Sequence, residues 1–138
     1  MSVPSFGPLH HVGVAVRDIG RTIELFSALF GATPESEIVH DPNQGVRIQF
    51  IRIGDLRVEL LEPAAKPSPI DGILSRGIAL YHVCYEVSDL DARLAGWKGS
   101  AVSLVSAPKP AAAFGGRRVA FVMCQGLMVE LIECGTGA

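Results

Sequence analysis

Alternating hydrophobic and polar positions open the chain, and a helical period follows them. Residues 10–16 alternate and are rich in valine, which predicts a β-strand. Asp18 then stands where a helix N-cap belongs, and Gly31 supplies the stop. Five apolar residues between them share one side of a 3.6-residue period: Ile19, Ile23, Phe26, Leu29 and Phe30. The first two elements are therefore predicted to be a strand and an amphipathic helix.

Three more strands are predicted after this helix. Residues 33–39 are expected to form a short polar strand, and residues 41–45 (DPNQG) have the composition of a turn. The alternating stretches 47–53 and 57–62 flank a tight reversal at Gly54-Asp55, which indicates a β-hairpin. The predicted order of elements is βαβββ.

The same pattern occurs twice in the chain. Residues 9–19 (LHHVGVAVRDI) return as residues 80–90 (LYHVCYEVSDL), displaced by 71 residues. Without a gap, this displacement carries Phe50 onto Phe121 and Glu59 onto Glu130. In the second copy we expect strands at 81–87, 101–105, 118–123 and 127–133, a helix at 89–97 and a loop at 107–116. The sequence thus predicts two tandem βαβββ modules.

Length and repeat together define the predicted domain organisation. The 138 residues suit one domain, and each module alone is too small for a good core. We therefore predict a single domain over residues 1–138, with modules at about 8–62 and 79–134 joined by a linker at 63–78. Residues 1–8 are expected to be a loosely held lead-in, and residues 70–76 to form one or two helical turns. The fold class is α+β, with a mixed sheet and helices on its outer face.

Strand alternation assigns the repeated polar residues to one face. The valines at 12, 14 and 16 are predicted to face the helix, which leaves His11 on the opposite face. By the same alternation His82, Glu59 and Glu130 also lie on the face away from the helices. If that face curves into a cup, these four side chains converge inside it.

Two imidazoles and two carboxylates form a ligand set for one divalent cation. The two carboxylates neutralise its charge, and one or two positions remain for water or substrate if the ion takes five or six ligands. The mixed nitrogen and oxygen set admits Zn, Co, Ni, Mn or Fe(II), whereas a closed structural zinc site usually includes Cys. The predicted metal ligands are His11, Glu59, His82 and Glu130.

Composition excludes several classes of partner. The net charge is −2, so nothing electrostatic favours nucleic acid or an anionic membrane surface. No apolar run reaches the length of a membrane span, and the start does not resemble a signal peptide. The three cysteines, Cys84, Cys124 and Cys134, are odd in number and are interpreted as reduced thiols. We therefore predict a cytoplasmic protein that acts on a small molecule.

The chain resembles the vicinal oxygen chelate superfamily, which includes glyoxalase I, extradiol dioxygenases, bleomycin resistance proteins and methylmalonyl-CoA epimerases. It is most similar to the epimerase branch. The segments that carry the resemblance are residues 9–16 (LHHVGVAV), 54–63 (GDLRVELLEP), 68–70 (SPI) and 114–122 (FGGRRVAFV). The resemblance implies paired βαβββ modules in a cupped sheet, a divalent metal at the four positions given above, and a homodimer.

One residue departs from the epimerase pattern. Such epimerases usually carry a Glu immediately before the Gln-Gly that opens the third strand, and that Glu is thought to transfer a proton. Here Asn43 precedes Gln44-Gly45, and an amide cannot take a proton from carbon. Asp41 is near in sequence, but the glyoxalase I pattern implies that a metal-binding carboxylate, Glu130 or Glu59, is the base.

The predicted function is that of a metal-dependent isomerase or lyase. Polarisation of a substrate carbonyl would stabilise an enolate while a carboxylate moves the α-proton of a small acyl substrate, such as an acyl-CoA, or of a 2-oxo substrate. Arg47, Gln49 and Arg118 are expected to face the cup and hold an anionic substrate group. Asn43 is counted with these substrate-binding residues.

Three other functions remain open at this stage. A glyoxalase I-like lyase would use the same ligands. A non-catalytic ligand-binding protein of the bleomycin-resistance type would use the cup without turnover, since related folds often differ in function. An Fe(II) extradiol dioxygenase is disfavoured, because its metal usually has two His and one carboxylate, and this chain offers a second carboxylate.

Overall fold

A computed structural model describes residues 6–134. Both ends of the predicted domain, residues 1–5 and 135–138, lie outside the described part. The chain divides into two compact units. The N-terminal unit is His11–Tyr81, and the C-terminal unit is formed by the residues from His82 onward together with those before His11.

The N-terminal unit is a mixed sheet with a helix on one face. β1 pairs with β5 in parallel, and β5 pairs with β4 as an antiparallel hairpin. Two short strands pair with successive parts of β4, where the sequence predicted one strand. The elements are β1 (Leu9–Ala15), α1 (Ile19–Phe30), β2 (Thr33–Pro34), β3 (Val39–Asp41), β4 (Val46–Ile53), β5 (Leu56–Pro63) and α2 (Asp71–Ser75).

The C-terminal unit repeats this arrangement. β6 pairs with β9 in parallel, β9 with β8 antiparallel, and β8 with β7 antiparallel. A single 3₁₀ turn (Ala112–Phe114) precedes β8. The elements are β6 (Leu80–Val87), α3 (Leu90–Trp97), β7 (Val102–Pro110), β8 (Arg118–Cys124) and β9 (Leu127–Glu133). The α+β class with mixed sheets is confirmed.

The predicted helix signals work as expected. The Asp18 carboxylate accepts a hydrogen bond from the backbone N–H of Arg21, and Gly31 closes α1 in the left-handed conformation at φ 68°. In α3 the carboxylate of Asp89 accepts from the N–H of Ala92. The cap predicted at Asp18 is confirmed, and of the two residues that the sequence allowed as the second cap, Ser88 and Asp89, the structure uses Asp89.

The helices α1 and α3 each pack on an apolar core of their own unit. In the N-terminal unit Ile19 lies with Ile51 and Leu60, and Ile23 and Phe26 border that core. In the C-terminal unit Leu90 and Trp97 pack on alternate residues of β8 and β9. At the end of α1 the apolar side is not covered, because Leu29 and Phe30 are 63% and 53% exposed. A helical period defines a face, but it does not determine how much of that face the sheet covers.

One strand is longer than predicted. Residues 107–116 were expected to form a loop, but β7 continues to Pro110 with two shifts in its register against β8. β7 pairs with β8 on one side, and a strand with one open side tolerates proline because fewer of its N–H groups must donate. None of the three α-helices between residues 6 and 134 has the length and apolar character that a membrane span requires.

Candidate functional site

The N-terminal unit buries one imidazole against one carboxylate. His11 in β1 is fully buried, and Glu59 in β5 is 3% exposed. The parallel register places Glu59 beside Gly13, next to His11 on the same face, and the His11 Nε2 and Glu59 Oε1 atoms are 3.4 Å apart. The Phe50 ring meets the His11 ring edge to face, with centroids 5.3 Å apart. The imidazole is therefore held by a neighbouring strand and by the adjoining hairpin.

The C-terminal unit contains the equivalent pair. His82 in β6 is fully buried, Glu130 in β9 is 2% exposed, and His82 Nε2 lies 3.1 Å from Glu130 Oε1. Glu130 sits beside Cys84, and the Phe121 ring meets His82 edge to face at 5.6 Å. The sequence repeat is thus also a repeat of local geometry, with the same strand positions and the same aromatic neighbour.

Each pair lies on the sheet face away from its helix. Val58 and Leu60, the neighbours of Glu59 along β5, belong to the core under α1. Val129 and Leu131, the neighbours of Glu130, belong to the core under α3. Strand alternation therefore directs both carboxylates to the opposite face, as predicted from the sequence.

Cys84 shares that face with His82 in the C-terminal unit. It is fully buried and packs with Val119, Phe121 and Ile132 in an apolar cluster. Burial among such neighbours suits a small hydrophobic side chain, which is the structural interpretation of a cysteine at this position.

The expectation that Arg47 and Gln49 face the same side as the pairs is wrong. Phe50 pairs with Glu59 across the hairpin, so Arg47 and Gln49 alternate onto the helix side of β4. The Gln49 side chain donates to the carbonyl of Ser36 at 2.8 Å. Arg47 donates through Nε to Glu62 Oε1 at 2.7 Å and through Nη2 to the carbonyl of Pro63 at 3.1 Å.

The expectation that Arg118 faces the same side as the pairs is also wrong, because strand alternation puts its side chain on the helix side. It donates to both carboxylate oxygens of Glu133 and to Asp91 in the first turn of α3, on the helix side. These hydrogen bonds hold the pKa of Glu133 and of Asp91 below their ordinary values and raise the pKa of Arg118. The Arg47–Glu62 pair and the Arg118–Glu133 pair are themselves repeated at the 71-residue displacement.

The Asn43 side chain stands in the exposed turn between β3 and β4. Its backbone N–H donates to Asp41 Oδ1 at 3.0 Å, as does that of Gln44 at 3.2 Å. Asp41, only 2% exposed, pairs with Val46 and therefore lies on the same face as Phe50 and His11. This buried carboxylate was underestimated from the sequence, although an Asp before Pro at a turn is a recognisable signal.

Among the described residues, two cavities differ in their lining. The larger, about 440 Å³, lies between α3 and β7–β8 and is lined mainly by apolar residues such as Leu94, Trp97 and Val122. A second cavity of about 370 Å³ lies at the end of the β4–β5 hairpin, which we call the rim pocket; it is lined by Arg47, Pro63, Ala64, Ala65 and Lys66. The two cavities therefore differ in character, because the rim pocket contains two cationic side chains.

Comparison with known proteins gives a consistent result. A family model described as "Glyoxalase/Bleomycin resistance protein/Dioxygenase superfamily" matches residues 10–121. The mitochondrial methylmalonyl-CoA epimerase of Homo sapiens is 33% identical over 94% of this chain and 76% of that protein. The ethylmalonyl-CoA/methylmalonyl-CoA epimerase of Cereibacter sphaeroides is 32% identical over 91% of this chain and 96% of that protein.

Solved structures resemble the chain over nearly its whole length. A variant of the Streptomyces coelicolor methylmalonyl-CoA epimerase in complex with 2-nitronate-propionyl-CoA matches with a TM-score of 0.79 and 25% identity. The match covers 96% of this chain and 97% of that one. The agreement in fold thus extends through both repeats.

Proposed function

Because the chain belongs to the glyoxalase/bleomycin resistance protein/dioxygenase superfamily, we propose that it is an epimerase. Its substrate would be a small α-substituted acyl thioester, with methylmalonyl-CoA as the first compound to test. The observation that carries the proposal is the buried His–Glu pair that each repeat builds at the same strand positions. That pair occurs in a chain more than 30% identical to proteins named as methylmalonyl-CoA epimerases.

We propose that His11, Glu59, His82 and Glu130 together bind one divalent cation. Within each pair the nitrogen and oxygen are 3.4 and 3.1 Å apart. Two ligand atoms that share an ion at metal–ligand distances of about 2.0–2.2 Å are separated by roughly 3 Å, so each pair fits. The two carboxylates also neutralise the charge of the dication. Burying a neutralised ion costs less than burying an unpaired charge, which favours a cation between these buried side chains. Co, Ni, Mn, Zn and Fe are the candidate ions.

The bound ion would supply Lewis-acid polarisation of the substrate carbonyl. The chain itself must move the proton, and Glu59 and Glu130 are the proposed catalytic carboxylates. The α-carbon–hydrogen bond breaks, its electron pair moves onto the carbonyl, and a carboxylate oxygen accepts the proton. Return of a proton to the other side of the planar carbon gives the epimer. Asn43 cannot take this part, because its amide is not a base at neutral pH.

The second candidate is a ligand-binding protein without turnover. Asn43 favours it, because the side chain at this position of the turn between β3 and β4 lacks the carboxylate expected in the epimerase pattern. A glyoxalase I-like lyase stays a prediction of the same ligand set. These functions differ in whether the protein exchanges the α-hydrogen of an acyl thioester.

The experiment is deuterium exchange at the α-carbon of methylmalonyl-CoA in D₂O, with purified protein loaded separately with each candidate metal. We expect exchange and loss of optical purity with the wild type, and loss of both in Glu130→Gln. Gln keeps the volume and a hydrogen-bonding oxygen at this buried position, so circular dichroism should show a folded variant. Tight binding of the thioester without exchange for any metal supports the binding protein instead.

A further inference from the structure

The rim pocket contains two cations with free hydrogen-bonding capacity. Among the described residues the ammonium of Lys66 makes no hydrogen bond or ion pair, and Nη1 of Arg47 makes none either. Lys66 is exposed, and the Arg47 side chain is 45% exposed, so both can be reached from solvent. The pocket therefore presents uncommitted N–H donors on two positive groups.

Glu62 fixes the position of Arg47 without cancelling the charge of the pocket. One of its oxygens accepts from Arg47 Nε, and the other accepts from the backbone N–H of Ile19 at 2.7 Å. The carboxylate is thus shared between the guanidinium and the N-terminus of α1. It orients the guanidinium and leaves its Nη1 edge open. Together Arg47, Lys66 and Glu62 retain one net positive charge.

The rim pocket adjoins the turn that leads to the buried His–Glu pair of the N-terminal unit. Ala64 donates to the carbonyl of Gly45 at 3.0 Å, which joins the pocket wall to the turn after β3. Along the hairpin, Arg47 and Glu62 stand three residues from Phe50 and Glu59. At about 3.3 Å per residue this is roughly 10 Å. Of the residues that line the pocket, Arg47 is on the helix side of the hairpin, whereas Pro63 pairs with Val46 on the face of Glu59.

We propose that the rim pocket binds the phosphate groups of a CoA thioester whose acyl group occupies the face of the His–Glu pairs. The inference rests on the proposed function, because it assumes an acyl thioester as substrate. Guanidinium and ammonium groups are the side chains that bind phosphate, the first through a fork of N–H groups and the second as a point charge. In CoA an extended pantetheine arm separates the acyl group from the phosphates, which suits a cationic pocket set apart from the reacting carbon.

Lys66→Glu tests the pocket, because this exposed side chain has no described partner whose loss would disturb the fold. The matched control is Lys109→Glu, an exposed lysine in β7. Calorimetric titration with CoA, pantetheine and inorganic phosphate compares the proteins. We expect Lys66→Glu to weaken CoA binding about tenfold, Lys109→Glu to leave it unchanged, and pantetheine binding to be the same in all three. Salt should weaken CoA binding in the wild type more than in Lys66→Glu.

Two results overturn the proposal. CoA binding that is equal in the wild type and Lys66→Glu removes the pocket from recognition. Inorganic phosphate that binds in a Lys66-dependent manner while CoA does not shows a general anion site. Steady-state kinetics separate this inference from the proposed function. The pocket predicts that Lys66→Glu raises KM for methylmalonyl-CoA and leaves KM for methylmalonyl-pantetheine unchanged. Lys66-dependent CoA binding without turnover of either compound supports the pocket and contradicts the epimerase.

Discussion

The Glu62 carboxylate accepts a hydrogen bond from the backbone N–H of Ile19 at 2.7 Å, so the end of β5 caps the first turn of α1. Its second oxygen binds Arg47, which makes Glu62 a junction between strand, helix and hairpin. The C-terminal unit connects its last strand to its helix in another way, because there Arg118 donates to both Glu133 in β9 and Asp91 in α3. Repeated residues thus stabilise each helix against its sheet.

Replacement of Glu62 by Ala should destabilise the protein by about 1–2 kcal/mol, the usual cost of losing a helix-capping acceptor and a charged hydrogen bond. Urea unfolding followed by circular dichroism measures this change. Glu24→Ala is the control, since Glu24 lies on the exposed side of α1. Equal unfolding midpoints for the two variants would show that the junction contributes nothing.

Acid stability should depend on Arg118. Because its hydrogen bonds hold the pKa of Glu133 below the ordinary value of 4.5, the unfolded chain binds more protons than the folded chain just below pH 4.5. The free energy of unfolding should therefore fall as pH falls through this range, and Arg118→Met should make that fall shallower. Urea unfolding between pH 3 and 6 compares the slopes, with Arg76→Met as the control. Identical slopes in all three proteins contradict the account.

The turn after β3 should depend on Asp41. Its carboxylate accepts from two backbone N–H groups and, at 3.4 Å, from the Gln44 side chain. Asp41→Ala leaves these donors without their acceptor and should cost about 1–3 kcal/mol, whereas Asp41→Asn keeps one oxygen and should cost less. Denaturant unfolding of both variants gives the comparison, with Asp55→Ala in an exposed turn as the control. If Ala and Asn cost the same, the turn does not depend on these hydrogen bonds.

Gly7 should not tolerate a side chain. A Cβ at this position would collide with the carbonyl oxygen of Glu86 in β6, and Pro8 accepts a hydrogen bond from Glu86 N–H at 3.0 Å. Gly7→Ala should therefore destabilise the C-terminal unit by about 1–3 kcal/mol, as overpacking against backbone does. Thermal unfolding measures the loss, and Gly72→Ala is the control because nothing lies within 4 Å of a Cβ there. A Gly7→Ala protein as stable as the wild type contradicts this packing.

Much of the fold was predictable because the repeat states each element twice. The helix cap at Asp18, and the face that carries His11 and His82, follow from local signals of a few residues. The second cap was predicted only to within Ser88 or Asp89, and the structure uses Asp89. The loosely held lead-in was predicted wrongly at residues 6–8, because Phe6 packs against Trp97 with ring centroids 4.7 Å apart. A contact between residues so distant in sequence leaves no local pattern.

The face that carries the buried His and Glu residues of the candidate site was predictable from the sequence. The face on which its arginines lie was predicted wrongly. The two-residue turn at Gly54-Asp55 pairs Ile53 with Leu56. That register alone puts Arg47 opposite Glu62 and on the helix side, so the signal was present in the sequence. The homodimer and the cytoplasmic location stay predictions. Size-exclusion chromatography with light scattering would test the homodimer. Fractionation of cells that express the protein would test its location.

The measurement that tests the central claim most directly is elemental analysis of the purified, dialysed protein beside the His11→Gln/His82→Gln double variant. The account predicts about one divalent ion per chain in the wild type and its loss in the double variant. His40→Gln, at an exposed position in β3, is the control and should keep the ion. Absence of metal from the wild type after loading with each candidate ion, or retention of the ion by a folded double variant, would contradict the four-ligand site.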